Sequence, residues 1–247
     1  MIDFKGKCVL VTGAAGGIGR ATCAMFHGAG ATVVFADLDG EGAAAAAAAC
    51  DPSGATAWGI AHDTTSSADT ERVVAEVVAR HGRIDVLVTA AGVFPPRPIL
   101  EMDDAAWRHV LAVNLDGVLY ASRAAIPHME AGASMVHIAS VAGHRGSPMH
   151  AHYATAKGGV LALSRSLASE LAPMGIRVNA VSPGIIATTM TDGLMARKGD
   201  IILATTPMAR MGTAEEVGGV ICFLASDLAS FVTGETIHVN GGWYMAS

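Results

Sequence analysis

Apolar residues along this chain gather into short, poorly alternating runs, and nearly every run is followed by a longer helix-like segment. The runs Lys7–Thr12, Ala31–Ala36, Ala55–Ala61, Ile84–Thr89, Ser134–Ser140, Ile176–Ser182 and Thr236–Asn240 read as strands. Between them, Ile18–Ala29, the Ala43–Ala49 region, Ala68–His81, Ala151–Ala172 and Glu215–Ala225 read as helices. A long helical region from about Asp104 to Met129 reads as two more. Strands that are apolar on both sides need cover on both faces, which is the pattern of a parallel sheet between helical layers. Right-handed crossovers then predict an α/β, doubly wound parallel seven-stranded sheet with its ligands at the carboxyl ends of the strands.

Composition narrows this further. At 247 residues, 51% hydrophobic and 15% charged, the chain suits one large domain spanning 1–247. No Pro/Ser-rich linker, charge block or repeat interrupts it. Ala43–Ala49 is low in complexity, yet alanine is the best helix former, so a helix is expected there. A net charge of −6 without a basic cluster argues against a nucleic-acid surface. Met1–Lys7 lacks the apolar stretch of a signal peptide, and no apolar run approaches the roughly 20 residues needed to span a bilayer. Cys8, Cys23, Cys50 and Cys222 are widely spaced, so reduced thiols are expected and not a disulfide framework or zinc site. The expected location is cytoplasmic.

The glycine turn, Asp37, Asp63, Ala90–Gly92, Ser140 and Pro183–Gly184 all fall at predicted strand ends. Gly13, Gly17 and Gly19, with Ile18 among them, permit a tight turn and close approach of a dinucleotide pyrophosphate to a helix N-terminus. Asp37 ends the second strand, about twenty residues further on, where a carboxylate accepts hydrogen bonds from ribose hydroxyls. That carboxylate opposes a 2′-phosphate by roughly 4 kcal/mol at about 4 Å and an effective dielectric near 20. Position 16 is glycine, and Leu38 and Asp39 follow, so nothing basic compensates. NAD is therefore the expected cofactor. Asp63, with Thr64 beside it, either meets the adenine edge or is a helix cap before Thr64–Ser67.

Tyr153 and Lys157 lie one helical turn apart, downstream of Ser140. Ketone reduction needs an acid for the developing alkoxide, and tyrosine, with a pKa near 10, needs help to serve at neutral pH. A neighbouring ammonium favours phenolate, and a serine hydroxyl stabilises charge on the substrate oxygen. Ser140 could otherwise cap a strand end.

These motifs make the chain resemble the short-chain dehydrogenase/reductase family over nearly its whole length, from Thr12-Gly-x-x-x-Gly-x-Gly19 to Val232-Thr233-Gly234-Glu235 and Val239-Asn240-Gly241-Gly242. The resemblance implies a Rossmann fold and a catalytic set of Asn114, Ser140, Tyr153 and Lys157. Asn114 would hold a water linking Lys157 to solvent, or else bond the backbone of a kinked helix, and Lys157 would also bind the nicotinamide ribose. Cofactor contacts are implied at Ala90, Gly92, Pro183, Gly184, Ile186 and Thr188. One departure is Thr89-Ala90-Ala91-Gly92 where the family usually has Asn-Asn-Ala-Gly, which bears on local stability.

The tail and Leu203–Gly212 resemble the 3-oxoacyl-[acyl-carrier-protein] reductase branch. That branch generally uses NADPH and docks its acidic carrier through basic residues, whereas Pro127–Ala131 and Ala172–Gly175 contain no Lys or Arg. The reading favoured is an NAD-linked oxidoreductase for a small secondary alcohol or ketone. The carrier-protein reductase is the runner-up, and a dinucleotide-binding regulator without turnover a third possibility. Phe94–Pro96, Val141–His152 and a lid within 188–212 should bound the pocket. The lid methionines form either an adaptable wall or ordinary helix packing. His144, Arg145, His150 and His152 are either solvated loop residues or an anion-tolerant wall. The small and apolar faces of Ala151–Ala172, together with the resemblance, imply a homotetramer.

Overall fold

In the computed structural model, which describes residues 2–245, strand and helix alternate along the chain. Strand β1 (Cys8–Thr12) leads through the glycine turn into α1 (Gly17–Gly28), and β2 (Thr32–Asp37) into α2 (Gly40–Cys50). Then come β3 (Ala57–Ala61), α3 (Ser67–His81), β4 (Val86–Thr89), α4 (Asp104–Leu111) and α5 (Gly117–Ala125). The rest comprises β5 (Ser134–Ile138), α6 (Val141–Arg145), α7 (Ala151–Leu171), β6 (Arg177–Pro183), α8 (Thr189–Thr205), α9 (Ala214–Ala225) and β7 (Thr236–Val239). All seven strands are parallel, in the order β3-β2-β1-β4-β5-β6-β7. The order reverses between β1 and β4, which opens a crevice at their carboxyl ends.

Successive side chains of a strand point to opposite faces, and here both faces are apolar. Val9, Val11, Val33, Phe35, Val88 and Val136 pack with Cys23, Phe26, Val217 and Ile221 of α1 and α9. Leu10, Val34, Leu87, Met135 and Val178 pack instead with Val73, Val77, Ala121 and Ala168 on the opposite layer. Trimming a fully buried member such as Leu10 to Ala would cost about 2–5 kcal/mol.

Element ends follow local chemistry. Ser66 caps α3 by accepting from the Asp69 N–H at 3.1 Å, and Gly82 closes that helix at φ 80°. Thr213 and Glu216 form a reciprocal capping box at the start of α9. The region read as two helices does contain α4 and α5, but a π-helical turn, Ala112–Asp116, joins them. Helices α6 and α8 were not anticipated as separate elements. No helix among the described residues is long and apolar enough to cross a membrane.

His137 on β5 is fully buried between α5 and α7, its Nε2 at 3.1 Å from Ser122 Oγ and its Nδ1 at 2.9 Å from Ser164 Oγ. Burial first, and the Lys157 charge second, pull its pKa from 6.5 to about 4. The unfolded chain therefore binds this proton at a higher pH than the native protein does. Stability is complete above about pH 6.5 and declines as pH falls towards 4, by about 3 kcal/mol for this group. Urea midpoints should fall across that window. A His137→Gln variant should show a shallower fall, and an equally steep one would locate the acid sensitivity elsewhere.

Candidate active site

Above the β1/β4 crevice lies a cleft of about 620 Å³ lined by Gly13, Gly16, Gly17, Ile18, Gly19, Asp37, Leu38, Asp63, Thr64, Ala90, Gly92 and Thr188. Gly13 has φ 69°, and a Cβ there would run into the Ala90–Ala91 backbone, so the turn needs glycine on both conformation and space. Helix α1 starts at Gly17 with no side-chain cap and no acidic residue in its first turn. Its first N–H groups and the positive end of its dipole are thus left for an anion. Asp37 accepts from Ala15 N–H at 2.9 Å and from Asp39 N–H at 3.1 Å, which ties the glycine turn to the end of β2. Among the described residues no Lys or Arg lines this cleft.

A glycine cradle, an open helix N-terminus and a carboxylate at the second strand's end together fit the pyrophosphate and ribose of a dinucleotide. Asp63 does not cap α3, since Ser66 does. Its Oδ1 accepts instead from Thr65 N–H at 2.9 Å and from Thr65 Oγ1 at 2.7 Å, within a tight turn on the cleft wall.

A second cleft of about 130 Å³ shares Ile18, Ala90, Gly92, Thr188 and Met190 with the first. Asn114, Ser140, Tyr153, Lys157, Pro183, Gly184, Ile186 and Thr188 all line it. Ser140 follows β5 and caps α6, its Oγ accepting from Ala142 N–H at 3.1 Å. Tyr153 and Lys157 come from the first turns of α7, with Lys157 Nζ 5.8 Å from the Tyr153 ring centroid. That ammonium donates to the Ile138 carbonyl at 2.7 Å.

Asn114 sits in the π-helical turn. Its Nδ2 donates to Val93 O and to Val110 O, both at 3.0 Å, and its Oδ1 accepts from Val93 N–H at 3.3 Å. A Cβ on Gly92 would stand 2.9 Å from Asn114 Oδ1 and 3.9 Å from Lys157 Nζ, so only glycine keeps that corner open. The backbone-bonding reading of Asn114 describes the geometry. The wide turn aims the side chain at the chemistry while its own carbonyl ladder is interrupted.

Charge in this cleft is set mainly by dehydration. Burial raises the Tyr153 phenol above its ordinary value, and the Ser140 side chain pulls it partly back. Burial also lowers the Lys157 ammonium to about 8. The sequence led us to expect a phenol lowered by Lys157. In the protein alone burial dominates instead, because both groups are dehydrated and the ammonium is held by the Ile138 carbonyl.

Residues 13–244 match the family model described as Enoyl-(Acyl carrier protein) reductase. The 3-oxoacyl-[acyl-carrier-protein] reductase FabG of Thermotoga maritima is 39% identical over 241 residues, covering 97% of this chain and 98% of the relative. The Escherichia coli protein of the same name is 39% identical over 246 residues, covering 99% and 100%. A solved structure titled short-chain dehydrogenase/reductase SDR:Glucose/ribitol dehydrogenase, from Brucella melitensis, superposes with TM-score 0.95 at 45% identity over 99% of both chains. The chain belongs to the short-chain dehydrogenase/reductase family. It is an enzyme, an oxidoreductase acting on CH–OH groups with a nicotinamide dinucleotide.

For this dehydrogenase/reductase the two clefts bring together the candidate catalytic and cofactor-binding residues, the Gly13–Asp63 group along one and the Asn114–Thr188 group along the other. The histidines depart from expectation. His150 is buried, stacks on Phe94 with ring centroids 3.8 Å apart, and has Nδ1 2.9 Å from Pro148 O. His152 is fully buried, and its Nδ1 accepts from Tyr153 N–H at 2.9 Å. Neither is a solvated loop residue. Of the group only Arg145 lines the cleft.

Sequence reasoning missed Trp243, Ile138 and Ala139 in the cleft wall, while Leu194 falls within the expected lid. A lone Trp after Gly241–Gly242 was the available signal for the first of these. Phe94, anticipated as a boundary, meets the Tyr153 ring edge-on at 4.7 Å and so fixes its tilt. Trimming it to Ala should lower kcat about tenfold with little change in coenzyme affinity, since the phenol loses a wall. Rapid-mixing measurement of the NADH-dependent step would reveal the effect.

Proposed function

We propose that this protein interconverts a small secondary alcohol and a ketone with NAD(H), using Tyr153 as the acid/base residue. The observation that carries the reading is one continuous crevice, with the Asp37 carboxylate and glycine turn at one end and the Ser140, Tyr153 and Lys157 side chains at the other. Gly13, Gly17, Ile18 and Gly19 would hold the pyrophosphate. Asp37 and Leu38 would meet the adenosine ribose, and Asp63 and Thr64 the adenine edge. Ala90, Gly92, Pro183, Gly184, Ile186 and Thr188 would flank the nicotinamide. The bound nicotinamide supplies hydride transfer and, when oxidised, a positive charge near the phenol.

In reduction the Ser140 hydroxyl donates to the substrate oxygen and the Tyr153 phenol delivers its proton to the developing alkoxide. In oxidation the same oxygen takes a proton back. The phenol must then lose its proton in a dehydrated cleft, which Ser140 and the nearby Lys157 charge favour. Asn114 positions the Val93 backbone and, through the wide turn, the polar corner beside Lys157.

The absence of Lys and Arg along the ribose end supports NAD over NADP. Segment 188–212 would act as the lid, with α8 as its body. A homotetramer is supported by the small and apolar residues of α7 and by exposed Leu228 and Phe231. Light scattering at several concentrations would test it, and a monomer would remove the assembly. A cytoplasmic location is supported by four free, unpaired cysteines.

A second reading, reduction of 3-oxoacyl groups on acyl carrier protein, is favoured by the names of the 39%-identical relatives. NADH and NADPH, compared on simple ketones and on a carrier-bound 3-oxoacyl group, separate the two readings. Efficient turnover of the carrier-bound substrate with NADPH alone would replace the first reading by the second.

A further inference from the structure

The mechanism above leaves one cation of the catalytic cleft unused. Arg145 ends α6, the short helix that Ser140 caps, so a single stiff segment carries both the group for the substrate oxygen and a guanidinium. The guanidinium carbon lies 4.6 Å from the centroid of the Trp243 ring, above its face. Stacking occupies the face of the cation and leaves the planar N–H edge open. Among the described residues no Asp or Glu lies within ion-pair distance of it. No acidic residue lines the cleft at all, and the wall includes Phe94, Val141, Ile185, Ile186 and Leu194. The only other cation there, Lys157, is engaged by the Ile138 carbonyl.

The bracket around Arg145 is itself braced. His144, its neighbour on α6, stacks on Tyr244 with centroids 5.0 Å apart, and His238 meets the same ring at 5.1 Å. Trp243 N–H donates to Asn240 O at 3.0 Å, and Asn240 Nδ2 donates to Tyr244 O at 2.7 Å. Two adjacent residues of α6 are thus locked against two adjacent residues of the tail. This holds a long, flexible side chain in one place and lowers the ordering cost of binding through it. A pre-placed guanidinium fork, exposed on the wall of a cleft lined by no acid among the described residues, matches a planar carboxylate, which it can bind through two parallel hydrogen bonds.

We propose that Arg145, held by Trp243, receives a carboxylate on the substrate, so that the enzyme's substrates are short oxo and hydroxy acids and not neutral ketones. This rests on the oxidoreductase reading of the same cleft and adds the chemical class of what it reduces.

The test uses short aliphatic oxo acids of increasing length, each paired with its methyl ester, and NADH as coenzyme. The full-length enzyme is compared with Arg145→Met and Arg145→Lys variants, whose melting temperatures are recorded alongside. The wild type should favour one or more acids over their esters by at least about tenfold in kcat/KM. Arg145→Met should shrink that ratio by roughly tenfold to a hundredfold, mainly through the KM of the acid, and Arg145→Lys should recover part of it. Esters used as well as acids by the wild type, or a ratio unmoved by Arg145→Met, would overturn the carboxylate receptor and leave the oxidoreductase reading standing. No turnover of any acid, ester or ketone while NADH still binds would overturn both.

Discussion

Replacing Tyr153 by Phe is expected to lower kcat by about a thousandfold or more while NADH affinity stays within about threefold of wild type. The substitution removes one oxygen and keeps the ring, so the edge-on contact with Phe94 at 4.7 Å and the helical position on α7 persist. On the proposed mechanism, what disappears is the proton donor for the substrate oxygen, a role that contributes on the order of 10²–10⁴ in comparable sites. Steady-state NADH oxidation and fluorescence titration of NADH, run on one preparation, separate chemistry from binding. Turnover above about a tenth of wild type would mean that another group moves the proton.

The second large effect concerns the coenzyme. Wild type should use NADH in preference to NADPH by about a hundredfold to a thousandfold in kcat/KM. Asp37 sits at the cleft edge with its carboxylate already held by the Ala15 and Asp39 N–H groups, so it cannot easily swing away from a 2′-phosphate. One unit charge at about 4 Å and an effective dielectric near 20 opposes the phosphate by roughly 4 kcal/mol, and about 1.4 kcal/mol is a factor of ten.

Asp37→Asn combined with Leu38→Arg should reverse the preference. Asparagine keeps an acceptor for the glycine turn, while Leu38, 77% exposed on the same cleft, offers a place for a cation. Better use of NADPH by the unmodified enzyme would refute the role given to Asp37. Because neither position contributes to the buried core, stability should change little in the double variant.

Much of this site was legible before any coordinates because it depends on local chemistry. Gly13 is required by a backbone angle, Asp37 by its place one strand later, and the Tyr153–Lys157 spacing by a single helical turn. The strands were visible as apolar runs, displaced by a residue or two because ladder pairing starts late. Cys8 of β1 pairs with Thr32 of β2, so the flanking Lys7 and Ala31 lie outside the ladder. The π-helical turn at Ala112–Asp116 was not legible, since helical periodicity cannot distinguish a bond to the fourth residue from one to the fifth. The histidines misled for a related reason. His150 and His152 look like solvated loop residues by type, yet Phe94, from a segment far away in sequence, covers His150.

The parallel sheet, the glycine turn and the identities of the side chains at the strand ends follow from hydrophobic patterning and short-range geometry, and so could be read from the chain alone. Three-dimensional packing was needed to set the protonation balance of the cleft, where burial raises the Tyr153 phenol and lowers the Lys157 ammonium. It also decided that Trp243, from the far end of the chain, stands against Arg145. Both depend on which distant atoms exclude water from a group, and dehydration is a property of the packed surroundings that no stretch of sequence carries alone.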